Sequence, residues 1–207
     1  MTIKTIIFDF GGVLYTLPDE RQAEEIKALF DLGETPALLH MLHNPDEFEM
    51  ARKVFLGQAP EETIWTQLAQ EHHLSADLIA KFKELAFSPR QLNQKLAEFL
   101  GELHETYQTA ILSNAGDQTR RLMVDIYHLD QWVETIIISA EEGLMKPDPA
   151  IYQLAMDRLG AQPDTTLFLD DTPSNIEAAN AFGMKAVQYF SSDQAIREIR
   201  RLLGKEG

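Results

Sequence analysis

IKTIIFD, residues 3–9, is a near-continuous apolar run that ends in an acidic residue. Continuous apolar runs, rather than alternating ones, are typical of strands that are buried on both faces of a parallel sheet. Four further runs of the same kind follow along the chain, at residues 109–114, 134–139, 165–170 and 185–189. We therefore predict a parallel sheet of five strands.

Helical patterns separate the last four runs. Leu92, Leu96 and Leu103 recur at helical spacing after Ser88-Pro89, a pair that favours a helix start. Residues 150–159 and 173–182 also have helical patterns, and each is followed by a glycine that can end a helix. Strands that alternate with helices predict a three-layer, Rossmann-like α/β sandwich.

Residues 16–88 break this alternation, because they contain several helical patterns and no convincing strand. Ile64, Trp65 and Leu68, for example, share one face of a helix. An insertion of this length is far beyond an ordinary connection between a strand and a helix. We predict an inserted helical cap at residues 16–88 and a core made of residues 1–15 and 89–207.

The charge of the chain limits its partners. Its 207 residues include 18 basic and 33 acidic ones, which give a net charge of −15. This acid surplus removes the electrostatic basis for binding nucleic acid or an anionic membrane.

The absence of cysteine excludes disulfides, thiolate metal sites and a cysteine nucleophile. No apolar stretch approaches about 18 residues, so we expect neither a signal peptide nor a membrane span, and a cytoplasmic location. The oligomeric state stays open.

Polar residues gather at the carboxyl ends of the predicted strands, where ligands bind in open parallel sheets. They are Asp9, Ser113, Asn114, Lys146, Asp170, Asp171 and Asn175. Three carboxylates with backbone carbonyls suit Mg²⁺, whereas a hydroxyl and an ammonium group suit a phosphoryl group. A carboxylate can also be a nucleophile. We expect Thr172 to cap the helix that begins at Pro173, which leaves the two adjacent acids for a cation.

Four motifs carry a family resemblance. FDFGGVLY (8–15), ILSNA (111–115), GLMKPDPAIY (143–152) and FLDDTPSN (168–175) occur in this order at or just past predicted strand ends. Together they resemble the haloacid dehalogenase superfamily, in the branch that has a helical cap between the first two motifs. The resemblance covers nearly the whole chain and implies a hydrolase that is phosphatase-like.

The resemblance also implies roles for individual residues. Asp9 would be the nucleophile and one Mg²⁺ ligand, and Gly11 would offer its backbone carbonyl to the metal. Asp171 would be a direct ligand, with Asp170 acting directly or through water. The remaining roles concern the phosphoryl group and the last motif: Ser113 and Asn114 would bind the phosphoryl oxygens, Lys146 would neutralise charge on Asp9 and on the transferring group, and Asn175 would order the loop.

Gly11 departs from the family pattern. Phosphatases of this family usually have an aspartate there, which acts as general acid and then as general base. General acid–base help is typically worth about a hundred- to ten-thousandfold in rate. The chain could therefore be slow, prefer substrates with more acidic leaving groups such as sugar 1-phosphates and acyl phosphates, or use another donor. Tyr15 and Asp19 are the nearest candidates in the sequence.

Three functions follow from these observations. The first is a Mg²⁺-dependent phosphatase that acts on a small phosphorylated metabolite, such as a sugar phosphate. The second is a metal-independent 2-haloacid dehalogenase, against which the pair Asp170-Asp171 argues. The third is a non-catalytic protein that binds a phosphorylated metabolite. Residues 16–88 carry 6 basic and 14 acidic residues, so we expect the cap to disfavour nucleoside triphosphates.

Overall fold

The sheet is parallel throughout and is built from five strands in the order β3-β2-β1-β4-β5. The computed structural model describes residues 2–16, 49–71, 73–86 and 91–205. The strands are β1 Thr5–Phe8, β2 Gln108–Ser113, β3 Thr135–Ile138, β4 Thr166–Asp170 and β5 Lys185–Gln188. The five predicted strands and the α/β class are therefore confirmed.

Helices cover both faces of the sheet. Within the described ranges they are α1 Glu49–Phe55, α2 Glu62–Glu71, α3 Ala76–Ala86, α4 Gln94–His104, α5 Thr119–Arg121, α6 Ser139–Glu142, α7 Pro149–Leu159, α8 Pro173–Phe182 and α9 Ser192–Leu202. A π-helical segment covers Leu122–Ile126, and 3₁₀ turns cover Leu129–Trp132 and Pro163–Thr165. Alternate residues of β1 enter two separate cores, with Ile6 and Phe8 in one and Ile7 in the other. This alternation produces the three layers of the predicted sandwich.

The glycine stops lie where the sequence predicts them. Gly160 ends α7 and Gly183 ends α8, and both adopt the left-handed conformation that glycine reaches without steric cost. Each glycine donates its backbone N–H to carbonyl groups of the last helical turn. The chain is thereby returned toward the next strand, β4 after α7 and β5 after α8.

The predicted start of α4 is wrong. The helix begins at Gln94, and the residue that caps it is Asn93, whose side chain accepts a hydrogen bond from the Leu96 N–H. The Asn93 side chain also donates to the Val13 carbonyl and to the Tyr189 hydroxyl, which lie far away in the sequence. Ser88 and Pro89 lie outside the described residues.

Helices α1, α2 and α3 belong to the segment that we predict to be the cap. Ile64, Trp65 and Leu68 of α2 are buried on one face, as their spacing predicts. Residues 17–48 and the junction at 87–90 lie outside the described ranges, so the division into residues 16–88 and the two flanking core segments stays a prediction. Among the described residues, none of the helices combines the length and apolar character needed to cross a membrane.

Candidate active site

The sheet order brings three predicted site residues to one edge. Strand β1 lies between β2 and β4, so Asp9, Ser113 and Asp170 follow or end three neighbouring parallel strands. The Asp9 N–H continues the ladder by donating to the Leu169 carbonyl at 2.8 Å. All three side chains are buried. Two carboxyl groups and a hydroxyl group are thus held at the carboxyl edge of the sheet.

Lys146 joins two of the acids. Its side chain is only 1% exposed, and its Nζ lies 2.8 Å from Asp9 Oδ1 and 2.6 Å from Asp170 Oδ2. Burial by itself would lower the pKa of Lys146, but the carboxylates of Asp170 and Asp9 raise it above its ordinary value. A buried ammonium group is tolerated in this position because both neighbours are acidic and accept hydrogen bonds from it. Lys146 therefore stays charged at neutral pH.

The Asp170 carboxylate is surrounded by donors. Besides Lys146, it accepts hydrogen bonds from the Thr172 N–H at 2.8 Å and from Asn175 Nδ2, which lies 3.1 Å from each oxygen. Asn175, predicted to order this loop, thus holds the carboxylate directly. The hydroxyl of Tyr152, which sequence reasoning missed, donates to the Asn175 carbonyl at 3.1 Å. These contacts fix the orientation of Asp170.

Thr172 does not cap α8 in the way that we predict from the sequence. Its side chain makes no capping hydrogen bond, and its hydroxyl instead donates to Asp171 Oδ1 at 3.2 Å. The backbone N–H of Thr172 is taken by Asp170. The threonine therefore orients both acids of the motif, because its N–H binds Asp170 and its hydroxyl binds Asp171.

Asn114 binds the backbone of Lys146. Its Nδ2 donates to the Lys146 carbonyl and its Oδ1 accepts from the Lys146 N–H, both at 2.8 Å. The side chain thus holds the chain segment from which the lysine projects. The amide oxygen and one amide proton of Asn114 are therefore already bonded to Lys146. The contact between Asn114 and a phosphoryl group stays a prediction.

One oxygen of the Asp9 carboxyl is held by two donors. Its Oδ1 accepts a hydrogen bond from the Phe10 N–H at 2.7 Å and lies 2.8 Å from Lys146 Nζ. Burial raises the pKa of the Asp9 carboxyl well above its ordinary value, the Lys146 ammonium opposes this rise, and Asp170 adds to it. A cation beside Asp9 would favour its ionised form.

Asp9, Asp170 and Asp171 form a candidate metal centre. Each offers one carboxylate oxygen, and these oxygens lie within 4.8 Å of one another. Burial, followed by the charge of Asp170, raises the pKa of Asp171. Three crowded carboxylates that disfavour one another's ionisation are the donor set that a hard divalent cation stabilises, so the residues fit Mg²⁺.

Gly12 is a site residue that sequence reasoning missed. Its φ is +74°, and a Cβ atom at this position would overlap the carboxylate of Asp171. The absence of a side chain therefore lets Asp171 lie directly against the backbone that follows β1. The pair Gly11-Gly12 after a strand was the available signal, because glycine pairs mark turns with positive φ.

Gly11 leaves open space where the usual second aspartate would project. It is exposed, and a Cβ atom there would have no atom of the described residues within 4 Å. Tyr15 is buried and stacks on Phe10 with ring centroids 5.5 Å apart, and burial raises the pKa of its hydroxyl above the ordinary value. Those properties make Tyr15 a poor proton donor. Asp19 lies outside the described residues.

The family of the chain follows from comparison with known proteins. The family model for haloacid dehalogenase-like hydrolases matches residues 3–183, so the chain belongs to this family and is a hydrolase. The resemblance to the haloacid dehalogenase superfamily, identified from the four motifs, is thereby confirmed, and the assignment to the branch with a helical cap stays a prediction.

Individual relatives have different activities. The chain is 28% identical to mouse bifunctional epoxide hydrolase 2, across 100% of its own length and 40% of that protein, so it spans less than half of this relative. It is 27% identical to (S)-2-haloacid dehalogenase 4A of Burkholderia cepacia (90% and 83% of the two chains). It is also 25% identical to the sesquiterpene phosphatase astK of Aspergillus oryzae (98% of each).

A solved structure has the same fold. It is a HAD family enzyme of Bacteroides thetaiotaomicron in complex with magnesium and inorganic phosphate. The TM-score is 0.69 at 20% identity, and the match covers 91% of this chain and 94% of that one. The likeness at this level of identity concerns the fold.

Proposed function

We propose that the chain is a Mg²⁺-dependent phosphatase that hydrolyses a small phosphorylated metabolite, such as a sugar phosphate, through a phosphoryl group carried on Asp9. The observation that carries the proposal is the buried pairing of Lys146 with Asp9 and Asp170, beside the carboxylate of Asp171. When ionised, three acids and one lysine have two negative charges in excess, which a divalent cation balances. The magnesium and phosphate bound by the relative from Bacteroides support this assignment.

The residues divide the work as follows. Asp9 Oδ2 attacks phosphorus, the new O–P bond forms as the bond to the leaving oxygen breaks, and the electron pair leaves with that oxygen. Water then attacks phosphorus, the Asp9–phosphorus bond breaks and its electron pair returns to Asp9, one proton of the water passes through solvent to the oxygen that left in the first step, and inorganic phosphate departs. Ser113 donates to the phosphoryl oxygens, and Lys146 balances the charge of Asp9 throughout.

The metal would be held by Asp9, Asp171 and the backbone carbonyl of Gly11, with Asp170 acting directly or through water. Asp170 already accepts several hydrogen bonds, which favours the water-mediated arrangement. When bound, Mg²⁺ supplies charge neutralisation at the phosphoryl oxygens and orients them.

The leaving group decides which substrates react well. With glycine at position 11, the leaving oxygen must depart without a carboxylic acid at that place. A sugar 1-phosphate or an acyl phosphate needs less protonation than the phosphate of a primary alcohol, because its leaving group is more acidic. We therefore expect the physiological substrate in one of these two classes.

A dehalogenase is the second candidate, because of the relative from Burkholderia. Its substrate, a 2-haloacid, is an anion, and its leaving group is a halide. The described site residues include three acids and one lysine, so their net charge is negative when they are ionised. This charge would repel an anionic substrate in the absence of a compensating cation. This electrostatic argument favours the phosphatase. A non-catalytic phosphometabolite-binding protein is the third candidate.

One assay separates the three functions. Phosphate release is measured over a panel of sugar, nucleotide and acyl phosphates, with Mg²⁺ and after chelation, and halide release from 2-chloropropionate is measured in parallel. Release of phosphate that requires Mg²⁺ supports the proposal. Halide release after thorough chelation would establish the dehalogenase, and tight binding of Mg²⁺ and phosphate without turnover would establish the binding protein.

A further inference from the structure

A residue of the predicted cap contacts the loop that follows β2. Glu61 immediately precedes α2, and its Oε2 would lie 2.7 Å from a Cβ atom placed on Gly116. Val54 of α1 would lie 3.1 Å from the same atom. Gly116 is buried and comes three residues after Ser113. The absence of a side chain at position 116 therefore lets the two segments approach closely.

The contact is reciprocal. The Glu61 N–H donates to Asp117 Oδ1 at 3.0 Å, so an acid of the loop binds an N–H at the beginning of helix α2. The Glu61 side chain in turn lies against the backbone of the loop, because its Oε2 and Cβ atoms would lie 2.7 Å and 3.2 Å from a Cβ atom placed on Gly116. Hydrogen bonds with a charged partner are the stronger ones, and an acid near a helix N-terminus is favourable. Each segment thus supplies a carboxylate to the backbone of the other.

A second close approach lies beside the first. Gly57, with φ +67°, is placed so that a Cβ atom would overlap the Ala140 carbonyl of α6. Residues 54–61 therefore contact both loops that follow the neighbouring strands β2 and β3. The loop after β2 makes further hydrogen bonds. Ser139 Oγ accepts from the Ala115 N–H, and the Asn114 side chain donates to the Lys146 carbonyl.

We propose that Glu61 and Asp117 form a clasp that positions the predicted cap against the loop 114–118, so that docking of the cap and ordering of the loop beside Ser113 are coupled. The clasp consists of the hydrogen bond from the Glu61 N–H to Asp117 Oδ1 and of the packing of the Glu61 side chain against Gly116. Glu61 and Asp117 are positioning residues: they act through the loop and the cap. The coupling to phosphate rests on the function proposed above, whereas the clasp itself does not.

Coupling of this kind is reciprocal. A ligand that binds the loop must stabilise the docked cap by the same free energy by which the docked cap strengthens binding of the ligand. The probe is inorganic phosphate with Mg²⁺. In the unaltered chain, we expect phosphate to slow hydrogen exchange at the backbone amides of α2. In Asp117→Ala, which removes the acceptor of the Glu61 N–H, exchange at these amides without phosphate should rise about tenfold, and phosphate affinity should fall by a similar factor.

Two variants serve as controls. Asp117→Asn keeps an oxygen that accepts from the Glu61 N–H and should restore most of the slow exchange. Glu71→Ala removes an exposed acid from the other end of α2, where it pairs with Gln67, and should behave like the unaltered chain. In turnover of p-nitrophenyl phosphate, Asp117→Ala should raise KM about tenfold while kcat changes less than about twofold.

The outcomes separate the clasp from the proposed function. Equal exchange at α2 in Asp117→Ala and Glu71→Ala, without phosphate, would overturn the clasp. Faster exchange with unchanged phosphate affinity would overturn the coupling and leave only the docking contact. If the unaltered chain binds no phosphate, the proposed function fails, and the comparison without phosphate still tests the clasp.

Discussion

The carboxylate of Asp171 lies against the backbone of Gly12, so closely that a Cβ atom at position 12 would overlap it. The two residues are separated by most of the chain, yet together they determine where an acid of the last motif lies relative to Asp9. Because φ of Gly12 is +74°, the conformation as well as the space requires glycine.

Gly12→Ala should therefore displace Asp171 and abolish high-affinity Mg²⁺ binding, measured by isothermal titration calorimetry. The matched control is Gly204→Ala, since Gly204 has a φ of +68° and a Cβ atom there would meet nothing within 4 Å. Both substitutions should cost about 1 kcal/mol or more of stability through backbone strain. Equal Mg²⁺ affinity in the two variants would show that Asp171 takes no part in the site.

Asp9→Asn should reduce Mg²⁺-dependent phosphate release about a thousandfold or more, because an amide oxygen is a poor nucleophile for phosphorus. The change is nearly isosteric, and Lys146 keeps its contact with Asp170, so the thermal unfolding midpoint serves as the check on folding. Turnover in this variant close to that of the unaltered chain would refute the nucleophilic role of Asp9.

Gly11→Asp should accelerate hydrolysis of alkyl phosphates by about ten- to a thousandfold, because it supplies a proton donor where the chain has open space. p-Nitrophenyl phosphate, which has a good leaving group, should gain much less. Gly11→Asn has the same size without the acidic proton and is the control. If Gly11→Asp and Gly11→Asn have the same rates, protonation of the leaving group does not limit turnover.

Asn114→Ala should lower the free energy of unfolding by about 2 kcal/mol even without ligands, because it leaves the N–H and carbonyl of Lys146 without partners. Urea denaturation in the absence of Mg²⁺ and phosphate measures this loss. Asn180→Ala, which removes a single hydrogen bond to the Ala186 N–H, should cost less. A stable Asn114→Ala variant with weakened phosphate binding would instead support the direct phosphoryl contact.

Nucleoside triphosphates should be poorer substrates than sugar monophosphates, by about tenfold or more in kcat/KM, because residues 16–88 contain 14 acids and 6 bases. Added salt should reduce this discrimination, since screening weakens repulsion between exposed charges. The measurement is the ratio of kcat/KM values for the two substrate classes at low and at high ionic strength. A preference for triphosphates would refute the prediction.

The sheet was predictable because its evidence is local. Each strand is a short apolar run, and the acids and hydroxyl of the candidate site directly follow such runs, so parallel pairing alone brings them to one edge. The glycines that end α7 and α8 were predictable for the same reason, because each directly follows the helical pattern that it ends.

What could not be predicted depends on partners that are distant in the sequence. Asn93, rather than Ser88, begins α4 because its side chain also bonds to Val13 and Tyr189. Thr172 does not cap α8 with its side chain, because its hydroxyl donates a hydrogen bond to Asp171 instead. Glu61 carries no motif at all, and its contact with the loop after β2 exists only once α2 has docked.

The candidate metal ligands come from opposite regions of the chain, with Asp9 after the first strand and Asp170 and Asp171 at the end of the fourth. An unfolded chain has no such cluster, so a cation bound there is bound by the native state alone. By mass action, Mg²⁺ at about a hundred times its dissociation constant would add about 2.7 kcal/mol to the folding free energy. The cation would then fasten the beginning of the sheet to its fourth strand and give the chain a magnesium-dependent melting temperature.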